Sequence, residues 1–576
     1  MKADLIIRNA WVYRTYRQCF EQMDIAVAGE RFYNISPAVH LEAETEIDGT
    51  GKYVVPGLID IHMHIESSMT YPKEFSRKVL PHGVTCVVAD PHEIANVFGI
   101  RGIRSFMNQE TDLDIYYGIP SSVPATNLRL ETPGATISDG EVQELLEDQR
   151  VLCLGEVMNY QDLISEEDTP VKRFIRLCGQ CGRPVRIEGH CPSLTGDDCA
   201  RFIYEGVDAD HTQQTPESVL EKTDMGMFLE LQTKSLTPDV VETVVKNSLY
   251  ENVALVTDDT MPDHLMEGQL DRILRLAVKN GMPVEKAIYC ATLTPARRMH
   301  LDDRGIIGPG KRADFIILND LENFSIEAVY KNGKKYQPSK KELKGSQDQE
   351  LFPEDFYHSV HCRPAEEKDF EVYGEGDFAL VNAMEIQSFG TRAKWVKRQV
   401  PIRDGKLCWQ EAGLCLAAVF ERHGKSGGVG YGFAAGAFRS RGAVATTWSH
   451  DSHNLLVLGN SPEDMVIAQR EILRIQGGYV AASGGEITAS AHLPVGGILS
   501  DRPVEELAAE LARVRCAIRD MGYVNNNEIM SISTLALLVS PELKISDKGM
   551  FDVKTQNPVP LIERTWTGEE NESQNA

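Results

Sequence analysis

Between residues 51 and 300 one pattern recurs: a short apolar run, then a longer stretch compatible with a helix. The runs fall at 53–61, 84–89, 114–118, 151–155, 184–188, 206–210, 227–231 and 253–257. Parallel strands need crossovers of a dozen or more residues, usually helical, so the alternation predicts a parallel sheet. Eight strand–helix units over about 250 residues match the size of a (β/α)8 TIM-like barrel. In that architecture the reactive side chains stand at the C-terminal ends of the strands, so the pattern also says where to look for chemistry.

The flanks read differently. Residues 1–50 hold short β-like runs (Leu5-Ile6-Ile7 and Ile25-Ala26-Val27-Ala28) broken by Gly29-Glu30 and Asp48-Gly49. Strand-like runs return at Ala313–Leu318 and Ala328–Tyr330. Residues 1–50 and 301–335 are therefore expected to form one small β domain, into which the barrel of 51–300 is inserted. A stretch rich in Lys, Glu, Ser and Pro predicts a linker over 336–368. From 369 to 562 a C-terminal α+β domain is expected, with a strand at Phe378–Val381 and a helix near 503–521. Residues 563–576 read as a polar tail. A chain of 576 residues exceeds what one core organises, in keeping with several domains.

The formal charge of −26 argues against nucleic acid and anionic membranes as partners, since both demand basic patches. Met1–Leu5 shows no signal-peptide pattern, and no apolar run approaches the roughly 18 residues that cross a bilayer. Twelve cysteines without framework spacing suit reduced thiols, so the expected compartment is the cytoplasm. Cys178, Cys181, Cys191 and Cys199 fit no usual zinc spacing and read as structural.

The strand ends carry an unusual set. The first run closes on Asp60-Ile61-His62-Met63-His64, and strand alternation puts Asp60, His62 and His64 on one face. Glu156 ends the fourth run, His190 follows the fifth, His211 the sixth, and Asp258-Asp259 the eighth. Singly, a histidine after a strand is usually a loop hydrogen-bonder, and Glu156 would serve as a helix cap. Four histidines and two acids on one rim instead suit divalent cations, with a carboxylate between two nitrogen-rich sites able to bridge a pair of ions. The reading is a binuclear centre.

His64-Ile65-Glu66-Ser67-Ser68-Met69 and Ala89-Asp90-Pro91-His92-Glu93-Ile94-Ala95-Asn96-Val97 resemble the bacterial adenine deaminase family of the amidohydrolase superfamily. So do Trp448-Ser449-His450-Asp451-Ser452-His453-Asn454, Ser483-Gly484-Gly485-Glu486 and Ser540-Pro541-Glu542-Leu543-Lys544, and the resemblance covers about residues 3–555. It implies hydrolysis of adenine to hypoxanthine and ammonia, a small-molecule purine substrate, and a homodimer. It also implies two divalent ions, with manganese or iron(II) favoured and zinc admitted by the N/O donor set. By the superfamily's pattern His62, His64 and Asp258 hold one ion and His190 and His211 the other, with Glu156 bridging. The chain departs from the family at Glu188-Gly189-His190, where Asp-Gly-His is usual, and at Asp210-His211-Thr212, where an acid usually follows the histidine. Both histidines remain, so the departures bear on the purine rather than on the metals.

Displacing ammonia from C6 requires a nucleophile and a proton for the leaving group, and Asp258 is the expected general base, then acid. Asp90, His92, Glu93 and, behind them, Glu66 are candidates for holding and protonating the ring; Asp90 and Glu93 would otherwise form a capping box. Asp259 is expected behind Asp258. The single-zinc deaminase route needs P-C-x-x-C beside H-x-E, and the chain has no such motif. Gly427–Gly432 lacks phosphate-loop endings and reads as turns. His450 and His453 suggest an extra metal site or an active-site role. The competing readings are a related hydrolase acting on an N6-substituted adenine or a cyclic amide, and a non-catalytic scaffold.

Overall fold

The run expected as one strand over 53–61 is two strands parted by Gly57, in the computed structural model, which describes residues 2–338 and 351–568. A Cβ at Gly57 would lie 2.2 Å from the Thr85 hydroxyl oxygen, so only glycine lets the backbone pass there. Tyr53–Pro56 joins an antiparallel neighbour, Phe315–Asp320, while Leu58–Met63 begins a parallel sheet beside Val84–Ala89. Tyr53–Pro56, expected within the barrel, thus belongs to the antiparallel sheet.

The chain forms two units: Met1–His92, Phe106–Ser122 and Ser138–Gln349 in the first, and Glu93–Ser105, Val123–Ile137 and Glu350–Ala576 in the second. Within the first, an eight-stranded sheet runs in the order Lys334–Lys335, Ser325–Lys331, Phe315–Asp320, Tyr53–Pro56, Ala3–Arg14, Cys19–Ala28 and Arg31–Ser36, with Ala43–Asp48 also along Ala3–Arg14. Ile7, Val12, Ile25, Val27, Phe315 and Ile317 form its core.

The same unit holds parallel strands in two sets. One runs Arg186–Gly189, Val151–Val157, Asp114–Ile119, Val84–Ala89, Leu58–Met63; the other is Ala209–Asp210, Phe228–Leu231, Val253–Leu255. Backbone hydrogen bonds tie the sets at both margins, Asp208 N–H to Ile187 O (3.2 Å) and Asp258 N–H to His62 O (3.1 Å). The result is one curled parallel sheet. Ile59, Ile61, Cys86, Val88, Cys153, Ala209, Phe228, Ala254 and Val256 fill an apolar core, each large side chain contributing about 1.5–3 kcal/mol. Helices follow the strands with ordinary start signals, such as the capping boxes of Ser138 and Thr215 and prolines at the first turns of Pro72–Val79 and Pro238–Lys246.

The second unit is organised around a ten-stranded sheet. Its order is Lys406–Leu407, Ala393–Arg403, Phe378–Ile386, Val429–Ala435, Leu414–Phe420, Leu455–Gly459, Ala443–Thr446, Gly478–Ser483 and Glu486–His492, with Ile562–Trp566 also on Phe378–Ile386. Leu414–Phe420 is buried along its whole length, as an interior strand with an unbroken apolar run should be. Helices Pro462–Ile475 and Val504–Asp520 belong to this unit. Two boundaries change. Residues from 351 are no linker: Ala365 is a core residue and its N–H donates to Gln469 Oε1 at 3.0 Å. The tail does not start at 563, because Ile562–Trp566 is a strand. Residues 339–350 of the expected linker and 569–576 of the expected tail lie outside the described residues.

Candidate metal centre

Six side chains from the ends of the parallel strands meet in the first unit. Glu156, closing Val151–Val157, sits between two groups of histidines. Its Oε1 lies 3.5 Å from His64 Nε2, and its Oε2 lies 2.9 Å from His190 Nδ1 and 3.2 Å from His211 Nε2. Asp258 Oδ1 lies 3.5 Å from His64 Nε2 and 3.9 Å from His62 Nε2. The His62 and His211 rings stack at 3.8 Å. Donor atoms about 2.0–2.2 Å from a shared ion stand about 3.0–3.5 Å from one another, and the separations here run from 2.9 to 3.9 Å. His62 Nε2 is buried and makes no hydrogen bond within the described residues, as suits a nitrogen kept for an ion. The residues present fit a pair of divalent ions, and Glu156 gives one oxygen to each histidine set.

The electrostatics agree. Burial opposes charge on His211, but Glu156 beside it wins and lifts the imidazole to about 9. His64 is likewise raised against burial, by Asp258 and Glu156. Glu156 and Asp258 are held well below the carboxylate range despite burial, by His211 and His190 around the first and His64 around the second. His62 goes the other way, pushed down by burial and by His211. The pocket is a carboxylate-rich field that attracts positive charge, the demand a divalent cation meets.

Backbone and neighbouring side chains aim these donors. His64 Nδ1 donates to the Asp90 carbonyl at 3.0 Å, leaving Nε2 free to ligate. The Asp90 carboxylate accepts the Glu156 N–H at 2.9 Å. A Cβ on Gly155 would fall 2.2 Å from that carboxylate, so glycine is required before Glu156. Gln232 donates to Asp258 Oδ2 at 2.5 Å. Asp60, raised to about 6 by burial, accepts from Thr257 and Gln269, both at 2.6 Å.

Of the other expected site residues, His92 stands edge-on to His64 at 4.6 Å, with Nδ1 3.8 Å from Glu156 Oε1. Glu66 is fully buried in the turn after His64, and Asp259 accepts the Ser67 hydroxyl at 2.6 Å. Asp90 is spent on Glu156's backbone. Glu93 belongs to the second unit, with Oε1 3.6 Å from His450 Nδ1 and Oε2 3.6 Å from His453 Nε2. The two family departures are turned to structure: Glu188 accepts from Arg298 at 2.9 Å, and the Thr212 hydroxyl donates to Asp210 at 3.0 Å. Sequence reasoning missed Glu230, whose Oε2 is 3.7 Å from His62 Nδ1. Burial and Glu188 push its carboxyl well up, favouring the neutral acid. An acid inside the apolar run Phe228-Leu229-Glu230-Leu231 was the available signal.

A buried imidazole–carboxylate set at the ends of a curled parallel sheet is the layout of a metal-dependent hydrolase, and the model of the Amidohydrolase family matches residues 53–336. The model of the adenine deaminase C-terminal domain matches residues 391–557. The chain is 46% identical to adenine deaminase 2 of Oenococcus oeni over 98% of its own length and 99% of that protein's. It is 47% identical to an adenine deaminase of Clostridium perfringens over 98% and 100% of the two chains, and 44% to one of Lactobacillus delbrueckii subsp. bulgaricus over the same shares. The chain belongs to the adenine deaminase family.

Proposed function

We propose that this protein hydrolyses adenine to hypoxanthine and ammonia. One observation carries the chemistry: Glu156 offers one oxygen to His64 and the other to His190 and His211. The substrate follows from near-full-length relatives named adenine deaminase. His62, His64 and Asp258 would hold one ion, His190 and His211 the other, and Glu156 both. Manganese or iron(II) suits this N/O set, with zinc also accommodated. When bound, such ions supply a hydroxide nucleophile at neutral pH and stabilise charge building on the ring.

The chain's own groups handle the protons. Asp258 accepts one from the attacking water through Oδ1 and returns it to the departing amine at C6, so the carboxylate ends as it began. Gln232 holds Oδ2 and keeps Oδ1 directed at the histidines. His92 and Glu66, buried beside His64, orient the ring and hydrogen-bond its nitrogens; Asp90 positions Glu156. Burial of His62, His64, Glu156, His211 and Asp258 keeps bulk water off them, strengthening each charge interaction, while His190 is half-buried. The parallel strands are read as a closed (β/α)8 barrel inserted in the small β domain, and the protein as a cytoplasmic homodimer. No helix among the described residues is long and apolar enough to cross a membrane.

The test is deamination of adenine, N6-methyladenine and a hydantoin after chelator treatment and reconstitution with Mn2+, Fe2+ or Zn2+. Ammonia release from adenine alone, lost on chelation and restored by metal, is expected. Equal or greater turnover of either other compound would replace adenine as the substrate, and turnover of none would end the reading.

A further inference from the structure

The second unit carries its own cluster of metal-ligand side chains. Glu93, His450 and His453 are all buried, and their donor atoms lie within 4.8 Å of one another. Glu93 lies in the first turn of helix His92–Phe98. The two histidines stand three apart on the loop Trp448–Asn454. Each Glu93 oxygen faces a different imidazole nitrogen, both at 3.6 Å, and Asp451 Oδ1 comes within 3.1 Å of His450 Nδ1. The 3.6 Å separations are long for an N–H···O hydrogen bond and close to the spacing of neighbouring donors around one ion.

The loop is held in place before any ligand arrives. His453 N–H donates to Ser449 O at 2.9 Å, and His450 N–H to Ser533 Oγ at 3.1 Å. The buried Arg422 donates through Nε to the His453 carbonyl and fixes its own guanidinium on the Ser359 and Gly496 carbonyls at 2.9 and 2.7 Å. Asn454 accepts the Arg422 N–H at 3.1 Å and donates to Thr132 O at 2.8 Å. Two buried carboxylates, Glu93 and Asp451, stand beside two buried imidazoles. One divalent cation would neutralise both acids and take both nitrogens.

We infer that Glu93, His450 and His453, with Asp451 at hand, bind a third divalent ion of the transition series. Two imidazoles with oxygen donors suit Mn2+, Fe2+ or Zn2+ and do not suit Ca2+ or Mg2+, which select oxygen alone. This assigns Glu93 as a ligand rather than a proton donor, and it stands apart from the identity of the substrate.

The experiment is metal analysis of the full chain, stripped with chelator, reconstituted with Mn2+ and desalted, together with crystals measured for anomalous scattering. Wild type is expected to hold three ions per chain. The double variant His450→Ala/His453→Ala and the single variant Glu93→Gln should each hold two, with unchanged circular dichroism. The anomalous map should show a peak bonded to Glu93 and both histidines. If the double variant does not fold, His453→Gln keeps the volume and should still lose this ion while the Glu156 pair stays. Two ions per chain in wild type, or a map with peaks at Glu156 and none at Glu93, would overturn the assignment.

Discussion

The two units assemble buried ligand clusters by opposite routes. In the first, His62, Glu156, His190, His211 and Asp258 come from five strand ends spread over nearly two hundred residues, and the parallel sheet does the gathering. In the second, His450 and His453 come from one short loop, fixed by a hydrogen bond from Arg422 and by their own N–H groups donating to Ser533 and Ser449, and met by Glu93 from a helix start. A cluster built by a sheet tolerates change in any one loop, because each donor has its own strand behind it. A cluster built by a loop depends on the few groups that pin that loop.

That contrast can be broken at its strongest point first. Glu156→Gln should lower adenine turnover by about 10^3–10^4-fold, because one side chain serves both histidine sets; steady-state kinetics with metal content on the same sample reads it. Asp258→Asn should cost about 10^2–10^4-fold in turnover, since the proton carrier is gone while Gln232 still holds the side chain; steady-state kinetics reads it. Asp90→Asn keeps the shape but weakens the acceptor of the Glu156 N–H, and about 10–100-fold loss of metal affinity is expected by titration. Gly155→Ala drives a methyl into the Asp90 carboxylate and should destabilise the first unit by about 1–3 kcal/mol, seen as a lower first thermal transition. Ser533→Ala removes the acceptor of His450 N–H; about 1 kcal/mol and a few-fold weaker third-ion binding are expected, with the Glu156 pair unaffected. A Ser533→Ala variant that disturbed the Glu156 pair would show that the two clusters are not built separately.

The strand-built centre was legible in the sequence because a parallel strand announces itself as an apolar run and its end as the first polar residue. His62, His64, Glu156, His190, His211 and Asp258 were read from their places at or just after the ends of the runs, together with the resemblance to the superfamily's pattern. It failed where its premises fail. Gly57 divides an unbroken apolar run for a steric reason seen only once Thr85 is across from it. Glu230 lies inside a run rather than at its end, so it passed as part of a strand. Asp90 and Glu93 were read as a pair from proximity in sequence, whereas a hydrogen bond gives the first to Glu156 and position sets the second against two histidines over 350 residues onward. The i, i+3 spacing of His450 and His453 did suggest a metal site or an active-site role; what it could not give was Glu93, which reaches them from a distant part of the chain.

Asp90 has a consequence that reaches past its own contacts. Its carbonyl chooses the tautomer of His64 while its carboxylate sets the height of the peptide that carries Glu156. The spacing between His64 and Glu156 therefore has one shared point of adjustment, and a small rotation of one residue would be felt by ligands on two strands in the same instant.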